Sequence, residues 1–260
     1  VINGLHTSGL GAFGQSRRLD IIANNLANVG TPGFRRDWIT FQERLVEALE
    51  PPLDFGFYNA YVDRTGGAPF IGGHQIDRSE GPLSQTDRPL DFAIEGDGFF
   101  GVRHPVNQEL FFTRAGNFLI DAEGRLVTAD GRYFVTDVSA QPVQIQAEGV
   151  VEIKVGRDGR IWLLGPGGAV DPVAQIGVFA VPFDQLVKHG DTLLRKVGAA
   201  PEVAVEAPGI RQGFLELSSV NPLDEMAELI QTTRLVESNL QMVRFQDATL
   251  DRVINTLGRL

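Results

Sequence analysis

The side chains able to do covalent, acid–base or metal chemistry are few in this sequence and poorly grouped. Its four histidines, His6, His74, His104 and His189, stand far apart, and none opens a His-Glu-x-x-His run or neighbours a second ligand type at metal spacing. Cysteine is absent, which removes thiolate nucleophiles, disulfides and Cys-based zinc sites together. There is no Gly-x-Ser-x-Gly elbow, phosphate loop or dinucleotide fingerprint. The stretch Gly96 to Gly101 is glycine-rich, but Phe99 and Phe100 occupy its centre and no helical pattern follows, so it reads as a hairpin turn. Asp121-Ala122-Glu123-Gly124 lacks the alternating oxygen ligands of a calcium loop. Carboxylates are plentiful, and a glycosidase pair is defined by separation in space rather than by count. The expectation is no catalytic residue, no metal, no cofactor and no small-molecule substrate. The alternative is a secreted carbohydrate-active enzyme or adhesin, a β domain on a helical stalk.

What remains is the chemistry of hydrogen bonding and packing. Asn24, Asn25 and Asn28 are poor helix formers whose amides each offer several hydrogen bonds, and on a buried helix end they would tie the helix to neighbouring backbone. Phe34, just past the turn Thr31-Pro32-Gly33, would anchor the exiting chain in an apolar pocket.

Two elements must position these groups. At the C-terminal end Leu229, Val236, Val243, Leu250 and Leu257 recur every seven residues, and Met226, Thr233, Leu240, Asp247 and Ile254 lie three residues ahead of each, so the sets form d and a rows of a coiled-coil seam. Asn221 is placed to cap this helix, Pro222 suits its first position, and Asp224 and Glu225 suit the positive first turn. At the N-terminal end Ile2, Gly9, Ser16 and Ala23 alternate at heptad spacing with Leu5, Ala12, Leu19 and Leu26, a narrow seam of small residues beside a leucine-rich row. Its glycines cost about 0.5–1 kcal/mol each relative to Ala, so this helix gains order only against another surface.

Between the ends, Asp37 to Leu49 suggests a short helix or helical turn and Leu53 to Gly73 an extended excursion. From Gln75 to about Gly213 the period falls to two. Candidate strands are Leu90 to Ile94, Phe99 to Arg103, Leu110 to Thr113, Asn117 to Ile120, Leu126 to Ala129, Val151 to Val155, Ile161 to Leu164 and Ile176 to Val181. The turns Glu95-Gly96-Asp97-Gly98, Asp121 to Gly124 and Arg157-Asp158-Gly159 supply Gly where positive φ is needed. The expected architecture is mainly β with long terminal α-helices. It comprises a discontinuous helical coiled-coil core domain (1–36 with 214–260), a connecting segment (37–74) and an antiparallel β domain (75–213).

With a formal charge of -10 and a pI near 4.9, nucleic acid is excluded as the main partner, because phosphate binding needs a surplus of Lys and Arg on one face. No apolar run approaches the ~20 residues that span a bilayer, and the first residues lack a signal-peptide pattern, so neither direct membrane insertion nor a cleaved leader is expected.

The run Leu19-Asp20-Ile21-Ile22-Ala23-Asn24-Asn25-Leu26-Ala27-Asn28-Val29-Gly30-Thr31-Pro32-Gly33-Phe34-Arg35-Arg36 closely resembles the N-terminal motif of the flagellar basal-body rod and hook proteins. Further matches are Leu90 to Phe100, Phe112 to Phe118 and Gly213 to Asn221, in the family's order, so the resemblance covers nearly the whole chain. Length and the segment between Phe41 and Gly73 look most like the distal-rod type, while Asn221-Pro222 and the Met226 region look like the proximal-rod type. The resemblance implies a structural subunit whose terminal helices pack with those of neighbouring subunits into a tubular core, with the β domain outward. Its implied partners are other copies, related rod or hook subunits and the flagellar type III export apparatus. Its implied place is the periplasm-spanning rod, the axial drive shaft of motility. The expected assembly interface comprises Leu5, Ala12, Leu19, Asn24, Asn25, Leu26, Asn28, Phe34, Met226, Leu229, Val236, Leu240, Val243, Leu250, Ile254 and Leu257.

Overall fold

The terminal repeats form two long helices, α1 (Ile2–Ala27) and α2 (Pro222–Leu257). The computed structural model describes residues 2–43, 69–145, 152–165, 168–169, 172–198 and 201–257, with side chains described except at 2–7, 42–43, 69–72, 74, 168–169 and 256–257. The chain divides into a helical unit (Val1–Ala27, Asp37–Gln75, Asn221–Leu260) and a β unit (Asn28–Arg36, Ile76–Val220).

In the helical unit α2 starts where its cap dictates. The Asn221 side-chain oxygen accepts from Leu223 N at 3.1 Å, its carbonyl accepts from Glu225 N at 3.1 Å, and its amide donates to Asp224 at 2.7 Å. The two helices pack antiparallel. Asn25 of α1 reaches Glu225 at 3.4 Å, Arg18 reaches Glu228 at 2.9 Å through Nε, and a Cβ at Gly11 would lie 3.6 Å from the Asn239 amide. Gly14 admits Phe41, whose ring would come within 3.1 Å of any added Cβ.

Asp37–Glu43 forms strand β1, paired with β2 (Pro69–Ile76), which corrects the short helix expected from Asp37. The run Trp38-Ile39-Thr40-Phe41 concentrates aromatic and β-branched residues that favour extended chain. Residues 44–49, and 53–68 of the expected excursion, lie outside the described residues.

The β unit contains β3 (Leu83–Gln85), β4 (Phe92–Ile94), β5 (Phe99–Arg103), β6 (Leu110–Thr113), β7 (Leu119–Ile120), β8 (Leu126–Val127) and β9 (Phe134–Val135). After these come β10 (Glu152–Val155), β11 (Arg160–Gly165), β12 (Gly168–Ala169), β13 (Ala174–Gln175) and β14 (Val178–Ala180). The last are β15 (Leu186–Lys188), β16 (Leu193–Lys196), β17 (Val203–Ala204), β18 (Ile210–Gln212) and β19 (Phe214–Glu216). Among the described residues the largest sheet has nine strands, ordered β15-β16-β6-β5-β9-β8-β7, with β14 joining β5 and β17. A four-stranded sheet holds β10 to β13, and the long-range pairs β18-β4 and β19-β3 bring the end of the unit back to its beginning. The β pairings for which a register is described are antiparallel.

Period-two alternation buries both faces of β5. Phe100 and Val102 enter the larger core with Phe92, Phe118 and Leu126, while Phe99 joins Phe112, Phe179 and Leu194 in a smaller one. Residues 28–36 and 214–220, expected with the helices, belong to the β unit. There Gly33 N donates to Glu216 O at 2.8 Å, Ser219 N to Phe34 O at 3.0 Å and Arg36 N to the Ser219 hydroxyl at 2.9 Å.

Candidate functional site

The asparagine run at the end of α1 does its work chiefly through Asn25, which is 1% exposed. Its amide donates to Asp37 O at 2.8 Å while its oxygen accepts from Asp37 N at 3.0 Å. Both backbone groups of one residue are thereby satisfied by one side chain, which clamps the start of β1 to α1. Asn28 is buried and accepts from the Thr31 hydroxyl at 3.0 Å, closing the turn after α1. Asn24 is exposed.

Phe34 is 1% exposed, and the Lys188 ammonium lies 3.7 Å from its ring centroid while donating to Arg35 O at 2.6 Å. Gly33, at φ 68°, is required here twice over: its conformation is left-handed, and an added Cβ would fall 2.2 Å from Ala115 N.

Beneath Phe34 lies a cluster that sequence reasoning did not single out. Glu216 takes Arg35 at 3.0 Å on one oxygen and Arg114 at 3.0 Å on the other, and all three side chains are 2% exposed. Arg114 also donates to Gly96 O at 2.6 Å, Arg35 to Arg78 O at 3.2 Å and to Ser79 O, and Gly81 N donates to Glu216 at 3.1 Å. Burial pushes the Arg35 guanidinium below its ordinary value, and the Glu216 charge opposes that shift. The available signal was an ion set among apolar neighbours in each segment: Phe34-Arg35, Arg114-Ala115 and Leu215-Glu216-Leu217.

The helical part of the expected interface divides into two faces. In α2, Leu229, Val236, Val243 and Leu250 are half-buried as the d row requires, but Met226, Leu240 and Ile254 are exposed at 47%, 46% and 65%. The row turned inward beside d is one residue earlier: Glu225 and Thr232 are buried, and Asn239 and Gln246 half-buried. The seam expected from the a row is corrected accordingly. Its cause is the opposing surface, since α1 offers Gly11, Arg18 and Asn25, which hydrogen-bond or make room rather than fill apolar volume. In α1 the same split occurs. Ala12, Leu19 and Leu26 are half-buried, whereas Gly9, Ser16 and Ala23 face outward. The side chains of Leu5 and Leu257 lie outside the described residues.

Elsewhere the β unit has an open groove of about 480 Å³ lined by Thr31, Thr113, Asn117, Tyr133, His189 and Asp191. Among the described residues no three His, Asp or Glu side chains gather as a metal site, and no helix is long and apolar enough to cross a membrane.

Three family models match the chain: the flagella basal body rod protein model over residues 6–35, the flagellar hook protein FlgE/F/G D1 domain over 93–163, and the flagellar basal body rod FlgEFG protein C-terminal model over 211–257. Each contributes one member of the buried triad, Arg35, Arg114 and Glu216 respectively. The chain is 32% identical over 257 residues to the flagellar basal-body rod protein FlgF of Rhizobium meliloti (strain 1021), covering 98% of both chains. It is 31% identical over 248 residues to FlgG of Bacillus subtilis (strain 168), covering 92% of each. It is 30% identical over 244 residues to FlgF of Mesorhizobium japonicum, covering 93% of this chain and 92% of the relative. With such identity over nearly the whole length of both chains, the chain belongs to the flagellar basal-body rod protein family.

Proposed function

We propose that this chain is a structural, non-enzymatic subunit of the bacterial flagellar rod that assembles through α1 and α2, whose heptad rows join those of neighbouring subunits in a coiled-coil core. The β unit then carries the outer surface of the shaft. Other copies and related rod or hook subunits are the partners, and the flagellar type III export apparatus delivers the chain to the periplasm-spanning rod. The matched relatives carry the name of a structural component, which leaves the carbohydrate-active enzyme or adhesin alternative without support.

One observation carries the reading: Met226, Leu240 and Ile254 of α2 face outward, while Glu225, Thr232, Asn239 and Gln246 turn inward beside the d row. A helix meant only to cover its own partner would place Met226, Leu240 and Ile254 inside. Each half-exposed side chain stands to contribute roughly 1 kcal/mol when a neighbour covers it. The test is complementation of a strain lacking the native gene with Leu240→Lys and Ile254→Lys variants, followed by isolation of basal bodies. Swimming and incorporation should fall at least ten-fold while the melting of the β unit is unchanged. Full incorporation of a double Lys variant would overturn assembly through this face.

A further inference from the structure

The closing stretch of the β unit, Gly209 to Val220, runs along its earlier segments like a strap instead of extending the nine-stranded sheet. It supplies β18 as the partner of β4 and β19 as the partner of β3, and among the described residues neither β3 nor β4 has another partner strand. Its backbone satisfies groups on both sides: Glu95 N donates to Gly209 O at 3.1 Å, Ile210 N to Arg157 O at 3.0 Å, Gly213 N to Asp91 O at 2.8 Å and Leu217 N to Pro82 O at 2.9 Å. The Gln212 side chain does the same for β10, accepting from Val155 N at 3.0 Å and donating to Ile153 O at 2.8 Å. At one point the seat admits only backbone, since a Cβ on Gly81 would fall 1.9 Å from Leu217 O. Ile210, 1% exposed, carries the strap into the larger core.

Charge sets when this strap can arrive. The Arg35 and Arg114 guanidiniums are 2% exposed and share the Glu216 carboxylate, which enters the chain 102 positions after Arg114. Until residue 216 exists, burying both cations sets like charges together with only the half-exposed Glu80 and the more distant Asp77 to offset them. We propose that residues 209–220 gate the folding of the β unit, which stays open until Glu216 seats between Arg35 and Arg114. A chain made N-terminus first closes this unit only once it has been extended almost to the Asn221 cap of α2, and a chain cut short before Glu216 stays open to proteases. Such a gate acts on rate. A contact required at the folding barrier slows folding when it is lost, whereas a strap laid on a finished sheet would only be released faster.

Stopped-flow refolding and unfolding of the full-length chain test this in a Trp38→Phe background, where Trp162 of β11 is the remaining tryptophan and reports on the β unit. Glu216→Gln should slow refolding at least about ten-fold and change unfolding by less than about three-fold. The triple change Arg35→Met, Arg114→Leu and Glu216→Leu removes the charges that hold the gate and should refold at the parental rate or faster, a rescue that lost packing alone would not give. Pulsed hydrogen exchange on the parent chain decides the order even where Glu216→Gln does not fold. The amides of Gly101 and Leu126, in the nine-stranded sheet, should gain protection in the same phase as those of Gly213 and Leu217 in the strap. Protection of the sheet about ten times sooner than the strap overturns the gate, as does a Glu216→Gln chain that refolds at the parental rate and unfolds faster, or a triple variant as slow as the single one.

Discussion

Arg35, Arg114 and Glu216 draw three distant segments of the chain into one contact. Two guanidiniums share one carboxylate, both also donate to backbone carbonyls and Gly81 N donates to Glu216, while Nε of Arg35 and Nε of Arg114 stay buried without a hydrogen-bond partner. Removing the central charge leaves two buried cations with only the half-exposed Glu80, 3.8 Å from Arg114, and the more distant Asp77 to offset them, so Glu216→Gln should cost about 3–5 kcal/mol in urea melts of the β unit. The triple change Arg35→Met, Arg114→Leu and Glu216→Leu should lose far less, because the desolvation penalty disappears with the charges. Equal losses for the single and triple variants would show that packing volume, not charge pairing, holds this point together. The triad was hidden from sequence because Arg114 and Glu216 are 102 positions apart and nothing local announces their meeting. Asn25 was legible, since a buried amide at a helix end has few uses other than binding backbone.

For the helices, sequence periodicity determined extent but not orientation. The cap at Asn221, the d row of α2 and the glycines of the hairpin turns follow local rules, and Gly96, Gly98, Gly124 and Gly159 all adopt positive φ. The second row of the seam depends on what α1 presents, and two rows one residue apart are equally periodic. Strand β1 escaped notice for a related reason: its partner β2 lies far along the chain, while helix-forming residues follow it in sequence. The polar seam makes a clear prediction. Asn239→Leu, facing the space at Gly11, should stabilise the isolated helical unit by roughly 1 kcal/mol in far-UV thermal melts by exchanging a half-buried amide for apolar area. Destabilisation would mean that the Asn239 amide is needed where it stands.

At the scale of the whole chain, the two units differ in what holds them. The β unit has two aromatic-rich cores, whereas the inward row of α2 includes Glu225, Thr232, Asn239 and Gln246. Calorimetry of the full chain should therefore resolve a lower transition from the helical unit and a higher one from the β unit. The higher one should respond to acid through two carboxylates of the β unit. Desolvation raises the Asp121 carboxyl, but hydrogen bonds from the Arg125 backbone and side chain outweigh it and hold the group below its ordinary value; Asp77 is held low by Ser79 in the same manner. Groups depressed in the folded state contribute stability that is complete above the unfolded value of about 3.9 and is lost as pH falls through the folded value. The upper transition should stay level from neutral pH to about 5 and drop below about 4, with a smaller drop in Asp121→Asn. A single transition, or an acid response confined to the lower one, would contradict this division.

The half-polar seam between α1 and α2 also decides how the molecule yields under tension. Water can take over each amide and carboxylate partner as it is released, so helices drawn apart from their free ends should part gradually, like a rope unlaid strand by strand, at low force and with little hysteresis. The aromatic-lined sheets offer no such replacement and should rupture abruptly at a higher load. A shaft component built this way is compliant while single and stiff only once neighbours have closed around it.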